Sequence, residues 1–219
     1  LVAPPARSFA IDEPLADDER TLVLVGDVML GRGVAARAAK HNLPFSWFFD
    51  ATKHLTAGAD VAFANLESPI SGRGTKRFGP LAFNAPAEAA LGLAAAGFDV
   101  VSLANNHALD YGPVALADTR ANVERAGARV VGVGPFDAPQ TPVILDARGV
   151  SVGFLAYCDP RSAGGCPFLD GQVSDKPYRA LRRTLERDVR ALRPRVDVLV
   201  VSLHLNDPDW PTRAYAART

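Results

Sequence analysis

The sequence is poor in several features that would each have set its class. Among 219 residues there are two cysteines, Cys158 and Cys166, and their spacing fits no zinc-ligand or dithiol redox motif. They read either as two free thiols or as one local loop closure, a choice that only geometry can make. Net charge is zero, with 24 Lys+Arg against 24 Asp+Glu. Whole-chain electrostatics therefore gives no pull toward nucleic acid or an acidic membrane. No apolar run reaches the roughly 18–20 residues of a membrane helix. The opening stretch Leu1–Ser8 lacks the apolar core of a signal peptide. No G-x-S-x-G elbow occurs, and Gly132-Val133-Gly134 meets Pro135 before it can complete G-x-G-x-x-G. A nucleophilic serine hydrolase and a dinucleotide-binding enzyme are both disfavoured.

What is present is ordinary for a globular chain: 48% hydrophobic and 22% charged residues, which excludes wholesale disorder, collagen and coiled coil. The length suits one domain. Residues 1–20 are rich in proline and acid and read as a leader or linker, which leaves 21–219 for the domain. Strand-like runs cover Thr21–Leu30, Asp60–Leu66, Phe98–Leu103, Arg129–Val133 and Val196–Leu203. Between them lie helical stretches: Val34–Lys40, Ser46–Ala57, a segment opened by Pro86 and closed by Gly97, Pro113–Ala126 and Tyr178–Leu192. Thr141–Asp146 and Val150–Tyr157, split by Arg148-Gly149, carry a hairpin signal. Residues 71–83 form a Gly-rich basic loop, and a last helix starts near Thr212. This alternation predicts an α/β fold with a largely parallel central sheet.

Four apolar strands end in ligand-type side chains. The first runs into Gly26-Asp27, the second into Asn65-Leu66-Glu67, the third into Asn105-Asn106-His107, and a late one into His204. In an open α/β sheet the carboxyl ends of parallel strands share one edge, where sites form. Asp, Glu, Asn and His make a hard-to-borderline donor set suited to manganese, iron, magnesium or zinc. Any one of these residues could be a turn former, a cap or a solvated charge. Four strand ends with the same chemistry point to a shared polar site.

GDVMLGR (Gly26–Arg32), ANLESPI (Ala64–Ile70) and SLANNHALDYG (Ser102–Gly112) resemble the CapA family, poly-γ-glutamate capsule synthesis proteins related to calcineurin-like metallophosphoesterases. The resemblance runs from about Leu22 onward. It implies a four-layer α/β/β/α metallophosphoesterase-like sandwich, here lacking its C-terminal strands, with metal held between loops at the strand ends. By that resemblance Asp27, Glu67, Asn106 and His204 are metal ligands, with Glu67 as the bridging carboxylate. His107 is the general acid or phosphoryl stabiliser, and Asp110 orients it. Arg32 clamps a phosphate or carboxylate, and Asn65 and Asn105 join it as substrate-binding residues. The cofactor would be manganese, iron or zinc, as a dinuclear site if the chain were complete. A cell-envelope or extracellular location is implied in the same way.

Two departures stand out. His204 is followed by Leu205-Asn206-Asp207 where the family has Trp-Gly and an acidic residue, and no GHxH segment is present among the four histidines, His41, His54, His107 and His204. Two functions follow as expectations. One is a metal-dependent phosphoesterase-like hydrolase in capsule biosynthesis. The other is a non-catalytic envelope protein that binds or exports an anionic polymer, using Arg32, Arg73, Lys76 and Arg77 near the site mouth.

Overall fold

The structure, a computed structural model, describes residues 18–77, 81–134, 140–159, 166 and 177–205. The leader read over residues 1–20, apart from its last three positions, and the helix read from Thr212 lie outside the described residues. Strands β1 (Leu22–Val28), β2 (Val61–Leu66), β3 (Val100–Ser102) and β4 (Arg129–Val131) form an all-parallel sheet in that order. Helices α1 (Arg32–His41), α2 (Lys53–Thr56), α3 (Ala89–Ala95) and α4 (Gly112–Arg125) lie between these strands in the chain. A second sheet has the order β5 (Val143–Ala147), β6 (Val150–Cys158), β7 (Val198–His204). Its first two strands are an antiparallel hairpin, and α5 (Pro177–Leu192) carries the chain to β7, parallel to β6. The hairpin turn places Arg148 and Gly149 at φ 51° and 87°, the positive values that two-residue hairpin turns need. The mixed α/β class expected from the alternation is the class observed.

Alternation along the strands decides what each face meets. On β2 every residue is buried, as a central parallel strand requires. Ala62, Ala64 and Leu66 join Leu93 of α3 and Leu116 and Val123 of α4 in one core. Val61 and Phe63 face the other way and meet Val152, Phe154 and Ala156 of β6. Phe63 and Phe154 stack with ring centroids 5.6 Å apart. On the outer face of the second sheet, Leu155, Tyr157, Leu199 and Val201 pack with Leu181, Leu185, Val189 and Leu192 of α5.

The helix expected over Ser46–Ala57 is instead a 3-10 turn, Phe45–Phe49, followed by the single turn α2. The aromatic spacing explains the difference. A 3-10 turn lines up residues three apart, and Phe45 and Phe48 are such a pair, with rings 6.0 Å apart against the α3 core. Cys158 and Cys166 are joined in a disulfide with Cα atoms 5.8 Å apart, so of the two readings left open the local loop closure is the one found.

Gly132, just past β4, has φ +87°, and a Cβ there would lie 2.6 Å from Ala104 Cβ and 3.0 Å from Ala156 Cβ. The two sheets converge on this position, immediately beside Asn105. Gly132→Ala is expected to cost about 2–4 kcal/mol from the left-handed backbone and the overlap together. A urea unfolding series checks this; a loss below about 0.5 kcal/mol would contradict it.

Candidate functional site

Asp27 reaches its place through an irregularity in β1. Leu24 pairs with Phe63 and Asp27 pairs with Asn65, so three steps on β1 span two on β2. Plain alternation from Leu24 would send Asp27 to the helix side. The extra residue turns it to the side of Phe63 and Asn65, which faces the second sheet. Glu67 follows β2 directly, and its N–H donates to Val28 O at 2.9 Å. His204 ends β7 opposite Cys158, and its carbonyl accepts from Asp159 N–H at 2.9 Å.

Each of Asp27, Glu67 and His204 offers one ligand atom within 4.8 Å of the others. His204 Nδ1 is 3.8 Å from Asp27 Oδ1, and its Nε2 is 3.6 Å from Glu67 Oε1. Asn106 Oδ1 lies 2.8 Å from His204 Nε2. The four residues expected to hold metal are thus brought together, three from the first sheet's edge and one from the second. Asn65 Nδ2 donates to Asp27 Oδ1 at 2.8 Å and lies 3.3 Å from His204 Nδ1. The complementary tautomer carries the proton on Nε2, toward Asn106, and leaves the Nδ1 lone pair toward Asn65.

Burial, and then the charge of Asp27, push the Glu67 carboxyl up to about 7. Burial is also the first cause that lowers His204, which favours the neutral imidazole. Two carboxylates and an imidazole are thus crowded into one small cluster, an arrangement a cation would relieve.

Beside it, His107 Nδ1 lies 2.8 Å from Asp110 Oδ2, with Asp110 only 2% exposed. Phe83 N–H donates to the same carboxylate oxygen at 2.6 Å, and the Phe83 ring stacks on the imidazole with centroids 3.9 Å apart. The sequence places Phe83 at the end of the basic loop 71–83 and gives it no role; a single aromatic in a loop has no periodicity to reveal one. Arg32 opens α1 with φ 46°, is exposed, and sits 5.6 Å over the Phe83 ring.

Asn65 and Asn105, expected at the substrate, use their polar atoms within the protein. Asn105 is fully buried; its Nδ2 donates to Asn65 Oδ1 (3.0 Å) and Leu66 O (2.9 Å), and its Oδ1 accepts from His107 N–H at 3.1 Å. Of the basic loop, Arg73 is in an ion pair with Asp118, Nε to Oδ2 at 2.9 Å, and Arg77 N–H donates to Asp110 O at 2.8 Å, which backs the loop against the histidine pair.

Comparison with known proteins shows what the chain is similar to. The chain is 26% identical over 195 residues to the capsule biosynthesis protein CapA of Bacillus anthracis, covering 86% of this chain and 47% of that protein. It is 25% identical over 153 residues to the PGA biosynthesis protein CapA of Bacillus subtilis, covering 68% and 40%. An uncharacterized protein of Sinorhizobium fredii is 32% identical over 172 residues, 70% of this chain and 35% of that one. The chain thus spans less than half the length of these curated relatives. A crystal structure of a hypothetical protein from Thermus thermophilus superposes with a TM-score of 0.44 at 24% identity, covering 85% of this chain and 58% of that one. The match that spans nearly the whole chain is to a bacterial capsule synthesis family, over residues 21–217, a stretch that holds every residue of the site. With its strand-end cluster inside that match, the chain belongs to the bacterial capsule synthesis protein family PGA_cap.

Proposed function

We propose that Asp27, Glu67, Asn106 and His204 hold a divalent cation, manganese, iron or zinc, and that the domain hydrolyses a phosphoester in capsule polymer synthesis. The observation that carries this reading is the 4.8 Å convergence of two carboxylates and an imidazole next to a carboxylate-held histidine. The donor chemistry fits: oxygen and imidazole ligands suit these cations. Two carboxylates crowded together, one of them raised to about 7, favour a positive charge between them. Bound there, the cation would polarise a phosphoryl oxygen and lower the pKa of a coordinated water.

The chain's own residues supply the rest. Asp110 occupies Nδ1 of His107, which leaves Nε2 to carry a proton to the leaving oxygen. Arg32 offers its planar fork to a phosphate or carboxylate oxygen. Asn65 orients Asp27 and His204 from beneath, and Asn105 ties Asn65 to the β2 backbone. We read residues 21–219 as one domain and its stacked clusters as the α/β/β/α sandwich of calcineurin-like metallophosphoesterases; the Phe63–Phe154 contact between sheets supports this. In a dinuclear site Glu67 would be the shared ligand, with further ligands required.

The test combines equilibrium dialysis of Mn²⁺ with turnover of bis(p-nitrophenyl) phosphate. Asp27→Ala is expected to weaken Mn²⁺ binding at least about tenfold. His107→Ala is expected to keep Mn²⁺ and lose about 10²–10⁴-fold in turnover. Turnover that persists in both variants overturns the hydrolase reading. Mn²⁺ bound without turnover, with salt-sensitive binding of poly-γ-glutamate, would select the non-catalytic polymer-binding role instead.

A further inference from the structure

Phe83 touches three parts of the site at once. Its ring lies on the His107 imidazole, with centroids 3.9 Å apart and planes within 21°. Its backbone N–H donates at 2.6 Å to Asp110 Oδ2, the oxygen that also meets His107 Nδ1 at 2.8 Å. The Arg32 guanidinium sits 5.6 Å over the same ring. Ring and backbone of one residue therefore restrain both the imidazole and the carboxylate that orients it.

The segment that carries Phe83 is itself held. Asn84 Nδ2 donates to Ser71 O at 2.9 Å, Ala85 N–H donates to Pro69 O at 2.9 Å, and Ser71 N–H donates to Ala85 O at 2.9 Å. Behind it, Gly31 packs so closely that a Cβ would lie 2.9 Å from the Asn84 backbone. The loop after β2, the start of α1 and the loop after β3 thus meet at this one short segment. A side chain fixed from three directions keeps its place without help from a ligand.

We propose that Phe83 is a positioning residue for His107. Its ring sets the plane of the imidazole, and its N–H holds the Asp110 carboxylate in line with Nδ1, so that Nε2 is the one ring nitrogen presented to substrate. The stack also gives Arg32 a fixed seat, which puts cation and proton carrier on one platform beside the metal cluster. For turnover this rests on the phosphoesterase reading above; the placement of the ring does not.

Two measurements separate those dependences. At one fixed pH, with chelator present, ¹⁵N imidazole shifts of the wild type are expected to show His107 as a single tautomer, and its ring protons to be shifted upfield by Phe83. Phe83→Leu is expected to remove the upfield shift and mix the tautomers, and Phe83→Tyr to restore both. With Mn²⁺, Phe83→Leu should lose about 10–100-fold in kcat with Mn²⁺ affinity unchanged, and Phe83→Tyr should recover most of it. A wild-type His107 without the ring-current shift, or a Leu variant with wild-type tautomer and kcat, overturns the proposal. Absent turnover in the wild type sinks the phosphoesterase reading, while the tautomer measurement still decides the role of Phe83.

Discussion

Glu67→Gln is expected to raise the stability of the metal-free protein at pH 8 and to abolish its tight cation binding. In the folded chain this carboxyl sits at about 7 against an ordinary 4.5, with burial the first cause and Asp27 the second. Below about 4.5 it is protonated in both folded and unfolded chains and costs nothing. As pH rises, the unfolded chain ionises first and the folded state loses stability, until the full cost stands above about 7. Gln keeps the shape and never ionises, so it removes a cost on the order of 1–2 kcal/mol once solvent screening is allowed for. Thermal melts in chelator should coincide near pH 4.5 and separate at pH 8, with the variant higher. Added Mn²⁺ should reverse the order, because only the wild type gains binding energy. A Gln variant that melts no higher than wild type at pH 8 in chelator would refute the burial cost.

Phe154→Ala should cost about 3–5 kcal/mol and also weaken Mn²⁺ binding under conditions where the chain is still folded. Phe154 is fully buried and stacked on Phe63 across the gap between sheets. Asp27 and Glu67 sit on the first sheet and His204 on the second, so the core between the sheets sets how far apart these three side chains lie. The matched control is Leu116→Ala, on the helix side of the first sheet and 2% exposed. It should lose about 2–5 kcal/mol with Mn²⁺ affinity nearly unchanged. Equal affinity losses in both variants would show that global loosening, rather than sheet spacing, governs the site. Urea melts and dialysis on the same samples read both quantities.

Much of this site is legible in the sequence because strand ends are. An apolar run that stops at Asp27, Glu67, Asn106 or His204 announces both the strand and the group it carries, and parallel pairing brings such ends to one edge. What is not legible depends on contacts remote in sequence. The turn of Asp27 toward the second sheet comes from register against β2, which alternation in β1 alone does not contain. Phe83 acquires its role only when its loop folds back onto Asp110. The stretch Ser46–Ala57 reads as helix in the sequence, yet the pairing of Phe45 with Phe48 on α3 draws its start into a tighter turn. Asn65 and Asn105 lie at the expected edge but one layer deeper, bonded to each other and to their neighbours. An amide at a strand end gives no sign of which groups will take its hydrogen bonds.

The extra residue in β1 makes the first aspartate a matter of odd and even. A gene that gained a single codon between Leu24 and Asp27 would still encode an apolar strand with an aspartate at its end. With the irregularity taking up one residue as before, the aspartate would fall opposite Leu66 and its carboxylate would emerge among the helices, on the wrong side of the sheet. Such a chain would keep its hydrophobic character and its motif and lose the carboxylate from the cluster. What inheritance has to preserve at this point is a count, and a lineage that drifts in composition while keeping that count keeps the site.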